Sequence, residues 1–344
     1  MPKNCWRAIR HDLNAAGNRE KRQSICKPVY LLVAVFVLSS ACAKGEPSSQ
    51  APCLRSEAFI ADWHRLANLD RLELVVSVHI KPPARWAIGS PNILSENDVL
   101  IYYQSGDEWR YEVTKSFNTG KTNAFIFQVS GDKYEQFDRK RRSLLIAKFD
   151  GNPNICRCWS PLFQSFSFLY EQSEYTDEID AQVNRTTSFS PLLQDLISIA
   201  KQPDILTRLQ SIVDFASGSN TSSFVVKTWR YGKHDEKIPL SEYTLTFERP
   251  DDLFPVMMEQ KDPTGQLAVL YKVKEFKEFA EVRFPAITTS TTYTDGKPDK
   301  IVDARLVRLR KLDDGERIPE IDPSTASHIY DSINCIEFNP GDFK

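Results

Sequence analysis

The sequence predicts a β-rich α+β fold: a strongly curved antiparallel sheet, or half-barrel, with helices packed in its concave face. Three observations lead there. Short stretches with period-two alternation recur along much of the 344-residue chain, and such alternation marks strands with one buried face. Turn sequences, "NTGKT" at 118–122, "SGD" at 130–132, "DPTG" at 262–265 and "TDGK" at 294–297, join consecutive stretches by connections short enough to impose antiparallel pairing. In the middle of the chain the apolar period lengthens to that of a helix, and the helices so implied need an apolar surface to cover. A single sheet of so many strands must curl, and the helices fill its hollow.

The chain begins with a basic head. Residues 1–43 hold seven of the 44 Lys and Arg but only Asp12 and Glu20 of the 46 acidic residues, so the remaining body carries a net charge of −7. A body of that sign lacks the footprint for gripping nucleic acid. Val29–Leu38, "VYLLVAVFVL", is ten apolar residues long, about half of the ~20 needed to span a bilayer and the length of a signal-peptide h-region. After it, Ala41-Cys42-Ala43 fits the small-x-small rule for signal cleavage, while Ser39-Ser40-Ala41-Cys42 resembles a bacterial lipobox. Cys42 is thus a candidate for lipidation, which would attach the chain to a membrane, or else is removed with the signal. Residues 44–54, small, polar and Pro-containing, have the composition of a flexible tether.

From Ser56 the spacing of Phe59, Ile60, Trp63, Leu66 and Ala67 predicts a helix capped by Ser56. Strands follow. In "EWRYEVTK", 108–115, Trp109, Tyr111 and Val113 face one way, and in "AFIFQVS" Phe125, Phe127 and Val129 do the same. "SLLIAKF", 143–149, is apolar on both faces and reads as a more central strand. Ser190-Pro191 is an N-cap followed by Pro at the first helical position, with Leu192, Leu193, Leu196 and Ile197 behind it. A second helix is expected from near Pro203 through Ile205, Leu209, Ile212, Val213 and Ala216. Seven or eight strands complete the chain, from "SFVVKTWRY" at 223 to "NCIEF" at 334–338.

This order resembles the LolA-like half-barrel family of bacterial envelope proteins, which includes lipoprotein carriers and lipid-binding domains. The likeness rests on the hairpin and alternating strand "TDGKPDKIVDARLVRL" and on the closing "SINCIEFNPGDF". It implies a single domain over residues 55–344 and a role in lipoprotein sorting or lipid binding, and it transfers no individual binding residue.

Few sequence motifs in the chain carry recognisable chemistry. "GKT" at 120–122 lacks the Gly five places earlier that a phosphate loop needs, and neither a G-x-S-x-G elbow nor H-E-x-x-H is present. His64, His79, His234 and His328 are far apart in sequence and form no motif. Cys53, Cys156, Cys158 and Cys335, an even set in an exported chain, suggest up to two disulfides; Cys156 and Cys158 are too near in sequence to pair with each other. A four-cysteine zinc site is the sharper alternative, but the C-x-C spacing departs from that of structural zinc sites.

The abundant feature is aromatic: Trp109, Tyr111, Phe125, Phe127, Trp229, Tyr231, Tyr243 and Phe247 on alternating strands. They are core, or they line an apolar cavity over which Leu206, Leu209 and Phe215 of the helical insert act as a lid. The expectation is an exported, non-enzymatic envelope protein without cofactor or metal. It would bind a lipid or an acylated partner in the concavity. The alternative is a structural or sensory domain with a filled core and a protein partner.

Overall fold

The computed structural model describes residues 56–81, 97–117, 119–149, 160–170, 193–203, 214–217, 223–231, 237–249, 252–334 and 336–338. Cys42, Cys53, Cys156, Cys158, Cys335, Leu206 and Leu209 lie outside them, as do the expected signal segment and tether.

Helix α1, Ser56–Ala67, forms where its spacing predicts, and Trp63 and Leu66 of its apolar stripe are wholly buried. Six strands follow: β1 Leu72–Lys81, β2 Asn97–Ser105, β3 Glu108–Ser116, β4 Thr122–Ser130, β5 Lys133–Asp138 and β6 Ser143–Lys148. Each pairs antiparallel with the next. A kinked 3-10 segment, η1, spans Pro161–Tyr170, and α2 spans Leu193–Ala200. The second lobe runs β7 Asp214–Ser217, β8 Ser223–Tyr231, β9 Lys237–Thr246, β10 Met257–Lys261, β11 Leu267–Phe279, β12 Val282–Thr294 and β13 Lys297–Lys311. A 3-10 turn, η2 (Pro323–Thr325), and the short strands β14 (His328–Asp331) and β15 (Ile336–Phe338) complete the described chain.

All fifteen strands belong to one curved, unclosed sheet ordered β15-β14-β6-β5-β4-β3-β2-β1-β13-β12-β11-β10-β9-β8-β7. Two meanders, each built from local hairpins, meet at a central seam where β1 pairs antiparallel with β13, Leu72 opposite Lys311 and Lys81 opposite Ile301. The hairpin between β12 and β13 turns on Asp295 and Gly296, with φ of 53° and 70°. These left-handed values are what the two-residue turn of the expected Asp-Gly pair requires.

Four expectations change. The helix expected to run through Ala216 does not reach it, since Asp214–Ser217, with Phe215, is a strand paired to β8. Sheet pairing thus overrides the helical spacing of a short apolar run. "AEVRF" and "TTSTTYT" are one strand, β12, which carries Pro285 through a register shift against β11. One pairing is parallel, β14 against β6. The apolar outer face of β6 follows from this C-terminal cover: Leu144 with Ile126 and Phe137 forms a second, smaller core against Ile321, Ala326 and Ile329.

Charge ties the central seam together on the outer surface and fastens the C-terminal strap to it. Glu73, 2% exposed, receives hydrogen bonds from Arg308 (2.6 Å) and Arg310 (2.5 Å), and Arg310 also forms a two-pronged pair with Glu316 (2.7 and 2.8 Å). Arg110 donates to the carbonyl of Pro319 at 3.0 Å, and Arg142 to that of Thr325 at 3.0 Å.

Candidate functional site

One face of the sheet carries the main core, which takes in residues of α1, η1, α2 and both lobes. Its second-lobe part is filled by η1. The sequence "SPLFQSFSFLY" sends Leu162, Phe163, Phe166 and Phe168 into the core, each nearly or wholly buried. Phe163 packs against Phe254 and Phe284 at ring-centroid distances of 5.7 and 6.5 Å, and Phe166 against Trp63 and Phe254 at 5.7 Å each. The sheet also holds the backbone of η1: Tyr271 donates its hydroxyl to the Leu162 carbonyl at 2.6 Å. Burial pushes the Tyr271 phenol well above its usual range, so it stays a donor.

The predicted cavity residues separate accordingly. Tyr243 is fully buried with its ring 5.8 Å from Phe168, and Phe247 and Trp109 are buried as well; these three are core. Trp229 and Phe215 lie on β8 and β7. The first lobe differs. Tyr111 is buried, but Phe127, 6.1 Å from it, and Phe125, stacked on Phe127 at 6.5 Å, are only half-buried, as are Leu145 and Ala147 on the same face of β6. An aromatic row thus runs off the core along β4 and emerges from it.

Farther along these strands the same face becomes polar. Because side chains alternate, Lys115 follows Val113 on β3, Asn123 precedes Phe125 on β4, and Asp98 lies two residues before Leu100 on β2. Their strand registers pair Lys115 with Asn123 and with Asp98. On β13, Lys300 follows the same rule from Val302, and it pairs in register with buried Thr292. Desolvation first, and then the charge of Lys115, lower the Lys300 pKa, against the pull of Asp299. Sequence reasoning missed both features. Phenylalanines spaced by two and three behind Ser160-Pro161 were a signal for η1, and continuing the β3 alternation past Val113 would have reached Lys115.

Among the described residues no group of three or more His, Cys, Asp or Glu side chains gathers to hold a metal ion, and no helix is long and apolar enough to cross a membrane. His328 instead meets Glu337 at 3.1 Å.

No family profile and no curated protein matches the chain. Solved structures do. A domain named for outer membrane lipoprotein sorting from Vibrio parahaemolyticus is similar over 75% of this chain and 93% of its own, at 12% identity and a TM-score of 0.36. A LolA superfamily protein from Nitrosomonas europaea is similar over 76% and 96%, at 9% identity and a TM-score of 0.37. A DUF1329 family protein from Desulfovibrio piger is similar over 75% and 95%, at 10% identity and 0.36.

Proposed function

We propose that this chain is an exported envelope protein whose half-barrel, residues 55–344, binds a hydrophobic ligand, a lipid or the acyl chain of a lipidated partner, on the inner face of its first lobe. One observation carries this reading: Phe127 and Phe125, continuing from buried Tyr111, share a face with the main core yet are left half-buried with Leu145 and Ala147, while η1 packs over the second-lobe part of that core. An acyl chain laid along the row would gain about 0.8 kcal/mol per enclosed methylene. Export rests on the basic head, the apolar run and the processing site around Cys42, which is either acylated or removed, with residues 44–54 as tether. Among the described residues no group of three or more His, Cys, Asp or Glu gathers to hold a metal ion. Burial of Tyr243 and Phe247 favours, for the second lobe, the reading of a packed domain that binds another protein.

The test is to purify the full chain and look for co-purified lipid by mass spectrometry, followed by titration with a fluorescent fatty acid. A lipid-free protein that takes up no fatty acid refutes the proposal. Metabolic labelling with a palmitate analogue, with Cys42→Ser as control, separates anchoring from excision: label that depends on Cys42 means a lipid anchor.

A further inference from the structure

Between half-buried Phe125 and Phe127 of β4 and half-buried Leu145 and Ala147 of β6 lies β5, whose side chains on that face are not apolar. The registers set out three adjacent rows: Val129, Tyr134 and Ala147; Phe127, Gln136 and Leu145; Phe125, Asp138 and Ser143. Gln136 is thus the polar member in the middle of an apolar patch, and it is itself only half-buried. Its amide is oriented from one side. Wholly buried Tyr134, two residues earlier on the same strand, donates its hydroxyl to Gln136 Oε1 at 3.1 Å. An amide whose oxygen is taken up in this way turns its two N–H donors elsewhere, and among the described residues Nε2 has no hydrogen-bond partner. The three rows contain no cation. Their one carboxylate, that of Asp138, is already held by the backbone N–H groups of Lys140 and Arg141 at 2.9 and 3.0 Å and by the Arg141 guanidinium at 3.6 Å. One row farther on, Lys115 of β3 stands cross-strand from Asp98 of β2, so no surplus of positive charge gathers at that end either. An ionised head group would leave water here with no cation to meet it.

We propose that Gln136 is a specificity-determining residue: its Nε2 donates to a carbonyl oxygen of the ligand, so that the patch takes a neutral, ester- or amide-linked acyl chain in preference to a free fatty acid or a bare alkyl chain. This rests on the acyl-chain reading above and adds the class of linkage. A bare alkyl chain laid over Phe127 and Leu145 would cover the Gln136 donors without satisfying them, which is penalised, whereas a carbonyl at that place replaces the water they lose.

Methyl octanoate, methyl octyl ether and octanoate, titrated calorimetrically into the full chain at neutral pH, provide the test. Methyl octanoate should bind about fivefold more tightly than the ether, which matches its length and lacks the carbonyl, and more tightly than octanoate. Gln136→Leu should lose the preference for ester over ether with its ether affinity undiminished. Gln136→Glu keeps the size of the side chain and the acceptor for Tyr134 but, once ionised, offers no donor, so it should lose the preference too. The infrared carbonyl stretch of bound methyl octanoate should lie at lower frequency in the parent than in Gln136→Leu. Equal affinity for ester and ether in the parent, a preference that survives in either variant, an unshifted carbonyl stretch, or tighter binding of octanoate than of its ester overturns the assignment to Gln136 alone. If none of the three compounds binds, the acyl-chain reading falls and the assignment falls with it.

Discussion

Phe166 and Phe127 face the same interior, and their truncation should have opposite consequences. Phe166 is 3% exposed and touches rings from α1, from η1 itself and from the segment before β10: Trp63 at 5.7 Å, Phe168 at 5.8 Å and Phe254 at 5.7 Å. Phe166→Ala would open a cavity that three separate elements cannot close together. The expected loss is about 4 kcal/mol, near the middle of the range for buried phenylalanine, or roughly 8–16 °C in melting temperature for a domain of this size. Phe127, between Tyr111 and Phe125, is only partly buried, so Phe127→Ala forfeits about half of a ring's burial, roughly 1–1.5 kcal/mol. Ligand binding should reverse the order. Phe127→Ala would weaken uptake of a fluorescent fatty acid about fivefold to tenfold, while Phe166→Ala, kept below its melting point, would bind as the parent does. Thermal melts and fatty-acid titrations on the three proteins provide the comparison. Equal melting losses for the two variants, or a binding loss confined to Phe166→Ala, would refute the division of the inner face into filled and open parts.

Other outcomes concern the strap and a turn. Arg310, with the Asp313 backbone N–H, holds the Glu316 carboxyl down to about 2. Because the folded value lies below the unfolded one, its contribution is complete above about pH 4.5 and is lost as pH falls toward 2; melting temperatures measured across that range should fall less steeply for Glu316→Gln than for the parent. Glu73→Gln should cost about 2 kcal/mol in urea denaturation, less than the 3–5 of a fully buried pair, because Arg308 and Arg310 reach solvent. Gly296→Val places a β-branched residue at φ 70° and should cost about 1–2 kcal/mol by the same measurement.

The sequence disclosed those parts whose burial is decided by near neighbours. α1 was legible because Trp63, Leu66 and Ala67 recur at helical spacing, and β3 because Trp109, Tyr111 and Val113 alternate without interruption. What stayed hidden depends on distant partners. β14 has four residues and exists through its pairing with β6, with Ser332 donating to the Ile146 carbonyl 186 positions away. η1 is held by Tyr271 and by rings of α1 and the second lobe, none of them near it in sequence. The two parts of the aromatic set could not be separated in advance, since Tyr243 and Phe127 occupy the same kind of alternating position and differ only in whether η1 lies over them.

The central seam has a consequence for how the molecule is made. Its ion pair between Glu73 and Arg308 joins positions 235 residues apart, so the first meander can zip up hairpin by hairpin while β1, its inner boundary, still lacks a neighbour. Until β13 and the strap emerge, that strand remains a bare template for any extended chain, and Ile126, Phe137 and Leu144 face water. Synthesis therefore leaves a half-finished molecule with one sticky edge and one sticky face for most of its length. Both are closed by the last few dozen residues, so a chain cut short before Lys297 would be prone to self-association.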